Sequence, residues 1–198
     1  MGKNGKVDYK AILELRDTIE KNLTGKELQS FIDSCAKELA ARLLAKVIKK
    51  TPVGKKPELQ GEKTIKATGK GGKQKRFLTA DAARLQQYWG GYQGGTLRRG
   101  WTGGKKVKAE DYAQGLKVQH VGNTYVIEIV NPVEYASYVE YGHRQTPGRY
   151  VPALGKQLVQ GWVKGKFMLT VSEEEIRRDA PRVLENKLKK KLGDIFND

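Results

Sequence analysis

The feature that most constrains the fold is a pair of alternating segments on either side of Gly122-Asn123. Apolar positions alternate with polar ones before and after this dipeptide, at Leu116, Val118 and His120, then at Tyr125, Ile127 and Ile129. A period of two is typical of a half-buried β-strand, and glycine supplies the positive φ that a two-residue hairpin turn needs. The sequence therefore predicts an antiparallel hairpin over residues 116–130, at the centre of a sheet.

Two helical patterns precede this hairpin. Residues 7–23 and residues 25–50 both carry apolar side chains at three- and four-residue steps. The second helix is predicted to follow a capping box, Thr24-Gly-Lys-Glu27, and to end before Pro52, because proline disfavours helical backbone in the residue before it. Its predicted buried stripe is Leu28, Phe31, Ile32, Cys35, Leu39, Leu43 and Val47.

Shorter elements follow on both sides of the hairpin. We expect the sheet to begin near residues 96–101, a helix within residues 77–89, a short helix or turn at 157–163 and a further strand at 166–170. A short helix after Asn131-Pro132 is predicted to bury Tyr135, Tyr138 and Val139 and to stop at Gly142. The last helix is predicted to start at a capping box beginning with Ser172, and Pro181 is expected to kink or restart it.

Together these patterns predict an α+β fold. It has long N-terminal helices, an antiparallel sheet with a central hairpin, a short helix and a C-terminal helix. We expect a single domain spanning residues 1–198, with a basic, glycine-rich insertion at about residues 53–95.

The positive charge is concentrated in one part of the chain. The net charge is +16, and residues 49–108 contain 16 Lys and Arg but only 3 Asp and Glu. One interpretation is a solvated, mobile insertion; the other is a surface for DNA phosphates or an acidic protein partner, and both can hold. The candidate DNA or partner contacts are Lys70, Lys73, Lys75, Arg76, Arg98 and Arg99.

Nothing in the sequence points to catalysis. His120 and His143 have no cysteine or carboxylate at ligand spacing, and the glycine-rich residues 69–76 lack the Ser or Thr of a phosphate-binding loop. We expect no enzyme activity, no metal and no cofactor. Cys35, as the single cysteine, excludes an intramolecular disulfide, and we expect neither a signal peptide nor a membrane span.

Four motifs together resemble one known family. They are Thr51-Pro-Val-Gly54, Gly95-Thr-Leu-Arg-Arg-Gly-Trp101, Tyr135-Ala-Ser-Tyr-Val-Glu-Tyr-Gly142 and Tyr150-Val-Pro-Ala-Leu154. Their types and order resemble the neck or tail-completion (head–tail joining) proteins of long-tailed bacteriophages. The third motif is the most specific match. The chain departs from the family pattern in its long insertion between Gly54 and Gly95 and in residues 155–171.

The resemblance implies a structural virion protein without an active site. It implies a ring of six or twelve copies at the head–tail junction (the neck or collar), which completes the tail, lets the head dock and lets DNA pass. The implied partners are other copies of the chain, neighbouring neck, portal-side and tail proteins, and phage DNA in the lumen, with no membrane. The implied location is the virion, after assembly in the host bacterial cytoplasm. Tyr135, Tyr138, Glu140, Tyr141 and Gly142 are then the expected subunit contacts.

Two alternatives stay open. One is a tail terminator, a ring that caps the tail tube and sheath. The other is a sequence-nonspecific nucleic-acid-binding protein, which the positive charge and the nearby aromatic residues would serve. The sequence leaves open the copy number of the ring and the proteins on either side of it.

Overall fold

A computed structural model describes residues 25–59, 61–68, 74–122 and 124–196. The helix predicted at residues 7–23 lies outside this range. The helices are α1 (Gly25–Lys50), α2 (Ala80–Trp89), α3 (Thr96–Gly100), α4 (Ala109–Gln114), α5 (Ala136–Tyr141) and α6 (Met168–Phe196). The strands are β1 (Thr64–Thr68), β2 (Gln74–Leu78), β3 (Gln119–Val121), β4 (Thr124–Val126), β5 (Gly142–Arg144), β6 (Tyr150–Val151), β7 (Lys156–Gln157) and β8 (Trp162–Lys164). This content confirms the predicted α+β class.

The chain divides into two compact units. Unit 1 comprises Met1–Pro52, Thr96–Tyr141 and Gly165–Asp198, and unit 2 comprises Val53–Gly95 and Gly142–Lys164. Unit 2 therefore contains the predicted basic insertion together with a second stretch of chain. The single-domain organisation stays a prediction.

The core of unit 1 is built around α1. All seven residues of the predicted stripe are buried, and the helix ends at Lys50 as predicted. The capping box predicted at Thr24 begins outside the described residues. At about 1.5 Å per residue its 26 residues span roughly 39 Å, long enough to carry several packing partners. Helices α4 and α6 pack against it, and Met168, Ile176 and Leu184 of α6 are almost fully buried.

Ion pairs join the polar margins of α1 and α6. The Glu175 carboxylate lies 2.8 Å from Lys50 Nζ and 3.0 Å from Lys46 Nζ. These two ammonium groups lower the pKa of Glu175 to about 2. Further along, Lys187 Nζ lies 2.9 Å from Glu38. The pairs fix the register of the two helices around their shared apolar contact.

The C-terminus of α1 is closed by a buried threonine. The Thr51 hydroxyl donates to Val47 O at 2.6 Å and accepts from Trp101 Nε1 at 2.8 Å. The Arg98 guanidinium donates to Thr51 O through Nη2 at 2.7 Å and Nε at 3.2 Å. A cation at this position donates to a helix-end carbonyl and interacts favourably with the negative end of the helix dipole. Two motifs distant in sequence thus meet at one helix end.

Residues 96–100 form a helix and Trp101 follows it in a turn, so the strand predicted there is wrong. Leu97 and Trp101 are four residues apart and both buried, which a helical turn achieves by placing them on one face. Gly100 is required at the contact, because a Cβ there would overlap the Asn131 side-chain amide. Asn131 Nδ2 in turn donates to Leu97 O at 2.8 Å.

The predicted hairpin is confirmed, with shorter strands. Its predicted place at the centre of a sheet is wrong, because β3 and β4 pair only with each other among the described residues. In the register His120 lies opposite Tyr125, and their ring centroids are 4.7 Å apart. Beyond β4 the alternation still holds, since Ile127 and Ile129 are buried in the core. The side chains therefore follow the predicted faces even where the backbone is not paired as a strand.

The last helix begins earlier than predicted. Residues 168–170 belong to α6, so the strand at 166–170 and the capping box at Ser172 are both wrong. Ser172 lies inside the helix and donates from Oγ to Met168 O at 2.6 Å. The helix continues through Pro181. Residues 157–163, expected as a helix or turn, contribute instead to β7 and β8.

Unit 2 is built from short pairings. Its described strands pair as β1–β2, β5–β8 and β6–β7, all antiparallel. Helix α2, within the predicted residues 77–89, begins where Thr79 Oγ1 accepts from Ala82 N at 3.2 Å. At its other end Trp89 Nε1 donates to Ala153 O at 2.7 Å, and the Trp89 and Tyr92 rings meet edge-on at 4.9 Å. These contacts anchor the predicted insertion within unit 2.

None of the helices, over the residues that the structure describes, is long and apolar enough to span a membrane.

Candidate assembly surface

The most specific sequence motif forms α5 and its end. Asn131 Oδ1 accepts from Val133 N at 3.2 Å, which makes a local turn, and the helix itself starts only at Ala136. The helix stops at Gly142, whose φ of +87° lies in the region that glycine favours. The predicted stop is thus confirmed, and the predicted start lies several residues too early.

The tyrosines of this motif face solvent. Tyr135, Tyr138 and Tyr141 are 45%, 58% and 46% exposed. The prediction that Tyr135 and Tyr138 form the buried face of the helix is therefore wrong. Val139 packs against the core, and Glu140 is the buried residue of α5. The physical reason is that this short helix turns Val139 and Glu140 toward the core, which leaves Tyr135 and Tyr138 on the side that faces solvent.

Glu140 caps the last helix of the same chain. Its carboxylate accepts from Leu169 N at 3.0 Å, from Thr170 N at 2.9 Å and from Thr170 Oγ1 at 2.8 Å. These amides belong to the first turn of α6, which has no intrahelical acceptors for them, and a negative charge there is favourable. The sequence suggested a subunit contact for Glu140; the structure places it inside unit 1, in a capping role.

The same junction brings further apolar side chains beside the tyrosines. Phe167 N donates to Glu140 O at 3.0 Å, so Phe167 lies next to the end of α5. Its side chain is 44% exposed, and Val171, one helical turn further, is 38% exposed. We call this set the tyrosine surface: Tyr135, Tyr138, Tyr141, Phe167 and Val171.

Carboxylates lie close to the tyrosine surface in the chain. Glu134 and Glu174 are exposed, one beside Tyr135 and the other one turn from Val171. Glu173 is half-buried, and no donor from the described residues reaches its Oε1 atom. Burial raises the pKa of Glu173, the Arg177 charge opposes that rise, and the Glu140 carboxylate adds to it. The surface is therefore aromatic, with the exposed carboxylates of Glu134 and Glu174 close to it in the chain and the exposed side chain of Lys166 beside Phe167.

The predicted basic contacts separate into three groups. Lys75 and Arg76 are exposed on β2, whereas Lys70 and Lys73 lie outside the described residues. Arg98 is half-buried and holds the end of α1. Arg99 is also half-buried, and its Nη2 lies 3.5 Å from Thr96 Oγ1. Of the predicted cations that the structure describes, Lys75 and Arg76 have side chains that present their charge to solvent.

Strands β1 and β2 form a hairpin with two different faces, which we call the basic hairpin. Residues directly opposite in an antiparallel pair share a face. Lys66 lies opposite Arg76 on one face, and Ile65 lies opposite Phe77 on the other. All four side chains are exposed. Like charges placed directly opposite destabilise a hairpin, so this face favours an anionic neighbour.

The remaining candidates for chemistry have structural roles. His120 Nε2 lies 2.9 Å from Gln29 Nε2 and 3.2 Å from Asp33 Oδ1, in a polar contact between β3 and α1. Burial raises the pKa of Cys35 to about 12, so its thiol is not a nucleophile at neutral pH. Within the described ranges, no group of three or more His, Cys, Asp or Glu side chains has the arrangement of a metal site.

One cavity of unit 2 is an open groove. It has a volume of about 580 Å³, and its apolar lining includes Pro57, Leu59, Leu78, Leu85 and Trp89. Its lining contains neither a histidine nor a cysteine. The groove accordingly has the character of a packing surface.

Sequence reasoning missed three features of this surface. The Glu140 cap joins residues about thirty positions apart, and the Thr51 hydrogen bonds join residues about fifty apart. No local pattern predicts either pairing. The basic hairpin was also missed. Residues 64–68 alternate between polar and apolar side chains, but residues 74–78 do not, so only one of the two strands has a local signal.

Comparison with known proteins gives one match. A family model described as "Bacteriophage HK97-gp10, putative tail-component" matches residues 14–142, which is more than half of the chain. The matched range ends at Gly142 and thus includes α1, the Thr51 contacts and the whole of α5. The match confirms the family resemblance that the motifs indicate. Neither a curated protein nor a solved structure matches the chain.

Proposed function

The chain belongs to the HK97-gp10-like family of bacteriophage tail components, and from this premise we propose that it forms an oligomeric ring at the head–tail junction. In this role the ring completes the tail, lets the filled head dock and leaves a passage for DNA. The family is one of structural tail components, which supports a role in assembly.

The observation that carries the proposal is the exposure of the tyrosine surface. Its three tyrosines belong to the most specific motif of the family, yet they do not pack in the core of their own chain. Aromatic residues that are exposed together are typical of protein–protein contacts, where they provide a large contact area at low entropic cost. A closed ring requires each subunit to offer two different complementary surfaces. The tyrosine surface supplies one of them.

The basic face of the hairpin supports the passage of DNA. Lys66 and Arg76 lie side by side and exposed, within a segment of high positive charge. Clustered cations bind phosphates without sequence preference, and salt weakens such binding. A ring lumen with this property retains the end of the genome while allowing it to move.

Electron microscopy of particles made without this protein tests the proposal. Loss of a junction ring is expected to give filled heads and separate tails of normal length. Overlong or ragged tails would instead indicate a tail terminator. Intact, joined particles would reject a role in assembly and leave nucleic-acid binding as the explanation of the basic hairpin. Restoring the protein from a plasmid is the control, since it must restore joined particles.

A further inference from the structure

The second face of the basic hairpin is apolar and uncovered. Ile65 and Phe77 lie directly opposite each other and are 51% and 50% exposed. The next pair on the same face is Ala67 and Lys75. We call these four residues the apolar hairpin face. It consists of one large apolar pair with a single cation beside it.

A hairpin in this state lacks stabilising contacts. Every residue of β1 and β2 is exposed except Thr64, which is half-buried. An isolated two-stranded hairpin is marginally stable at best, because it buries too little apolar surface to offset the ordering of its backbone. Burial of Ile65 and Phe77 against another surface would therefore stabilise the hairpin.

The tyrosine surface has the matching chemistry. It is aromatic, and the exposed carboxylates of Glu134 and Glu174 lie close to it in the chain. Apolar contact would cover Ile65 and Phe77, and the Glu134 and Glu174 carboxylates would suit Lys75. Two apolar hairpin faces packed on each other would instead make a two-fold contact, which closes a dimer and not a ring. The proposed ring thus favours pairing between two different surfaces.

We propose that the apolar hairpin face of one copy packs on the tyrosine surface of a neighbouring copy, with Lys75 set against Glu134 and Glu174. This inference rests on the proposed ring, and it names the two surfaces that each subunit joins to its neighbours. The contact is heterologous, as a closed ring requires. The opposite face of the hairpin, with Lys66 and Arg76, stays uncovered by this contact and available to DNA.

Cysteine cross-linking between copies tests the contact. Cys35 is buried and its pKa is raised to about 12, so introduced cysteines react selectively. Phe77→Cys is placed in one copy of the gene and Tyr135→Cys in a second, differently tagged copy. Both are expressed in cells infected with phage that lack the gene, and a short bismaleimide is added. Because each chain carries one introduced cysteine, a product containing both tags forms only between copies.

The control lies one residue away on the other face of the same hairpin. Arg76→Cys replaces Phe77→Cys in a parallel experiment. We expect the mixed product with Phe77→Cys and its loss with Arg76→Cys. Equal cross-linking from both positions, or products only between two copies of Phe77→Cys, would overturn the proposed contact.

The same samples separate this inference from the proposed function. Particles that contain the protein but give no mixed product would overturn the contact and leave the ring proposal standing. Absence of the protein from joined particles would overturn both.

Discussion

At the scale of single residues, Glu140 connects the family motif to the stability of the fold. Its buried carboxylate accepts hydrogen bonds from Leu169 N, Thr170 N and Thr170 Oγ1. Glu140→Ala is expected to lower the free energy of unfolding by about 1–3 kcal/mol, because two buried amides lose their acceptor. Glu140→Gln keeps an acceptor oxygen and is expected to cost less. Urea denaturation measures both changes.

The control for this change is Glu174→Gln, since Glu174 is exposed on the same helix. Its effect on unfolding is expected to stay within roughly 0.5 kcal/mol. An equal loss of stability from Glu174→Gln and Glu140→Ala would contradict the capping role.

The ionised carboxylate of Glu173 is unfavourable in the folded protein. Its pKa is raised, mainly by burial, so the folded state favours the protonated form. The stability that protonation contributes is present below the ordinary pKa and is lost as the pH rises through the folded pKa. Glu173→Gln is therefore expected to stabilise the protein at about pH 7 and to have little effect near pH 4. Urea midpoints of both proteins at the two pH values measure this; a stabilisation that is equal at both would exclude the carboxylate charge as its cause.

At the scale of elements, helix ends that are set by nearby residues could be predicted, whereas helix ends that are set by distant residues could not. The buried stripe and the C-terminal end of helix α1 could be predicted because the apolar spacing and Pro52 are both local signals. The start of α6 could not, because Glu140 sets it from a distant part of the chain. Residues 96–101 were assigned the wrong element, since a short apolar spacing fits a strand or a helix. Burial of both Leu97 and Trp101 decides between them.

Two glycines in helix-end positions are expected to respond in opposite ways to alanine. Gly142 has a φ of +87° at the end of α5, so Gly142→Ala is expected to destabilise the protein by about 1–2 kcal/mol. Gly193 lies in α6 with open space around its Cα, so Gly193→Ala is expected to stabilise it by roughly 0.5 kcal/mol. Thermal unfolding of both variants measures the difference. A gain in stability at Gly142 would show that its conformation is not required.

At the scale of the whole molecule, DNA binding is expected to depend more on where the positive charges lie than on the net charge. Lys66→Glu with Arg76→Glu changes the basic face of the hairpin. Lys105→Glu with Lys106→Glu makes the same change in net charge at two other exposed lysines. We expect the first pair to weaken DNA binding and to reduce the salt slope by about two, at about one per lost phosphate contact. The second pair is expected to have a smaller effect.

Fluorescence anisotropy with a labelled duplex at several salt concentrations measures both double variants. Equal losses would mean that only net charge attracts the DNA. In that case the arrangement of Lys66 beside Arg76 carries no specific role in binding.

The hydrogen bond to Thr51 holds Trp101 in a buried site, so the fluorescence of Trp101 reports on the folding of unit 1. The chain has three tryptophans, and Trp101 is the one in unit 1, whereas Trp89 and Trp162 belong to unit 2. Trp101 is 4% exposed and Trp162 is 51% exposed, so their emission maxima are expected to differ in the native state. A denaturation series followed at two emission wavelengths then distinguishes units that melt together from units that melt in turn. Intrinsic fluorescence alone can thus decide whether this chain behaves as one cooperative domain.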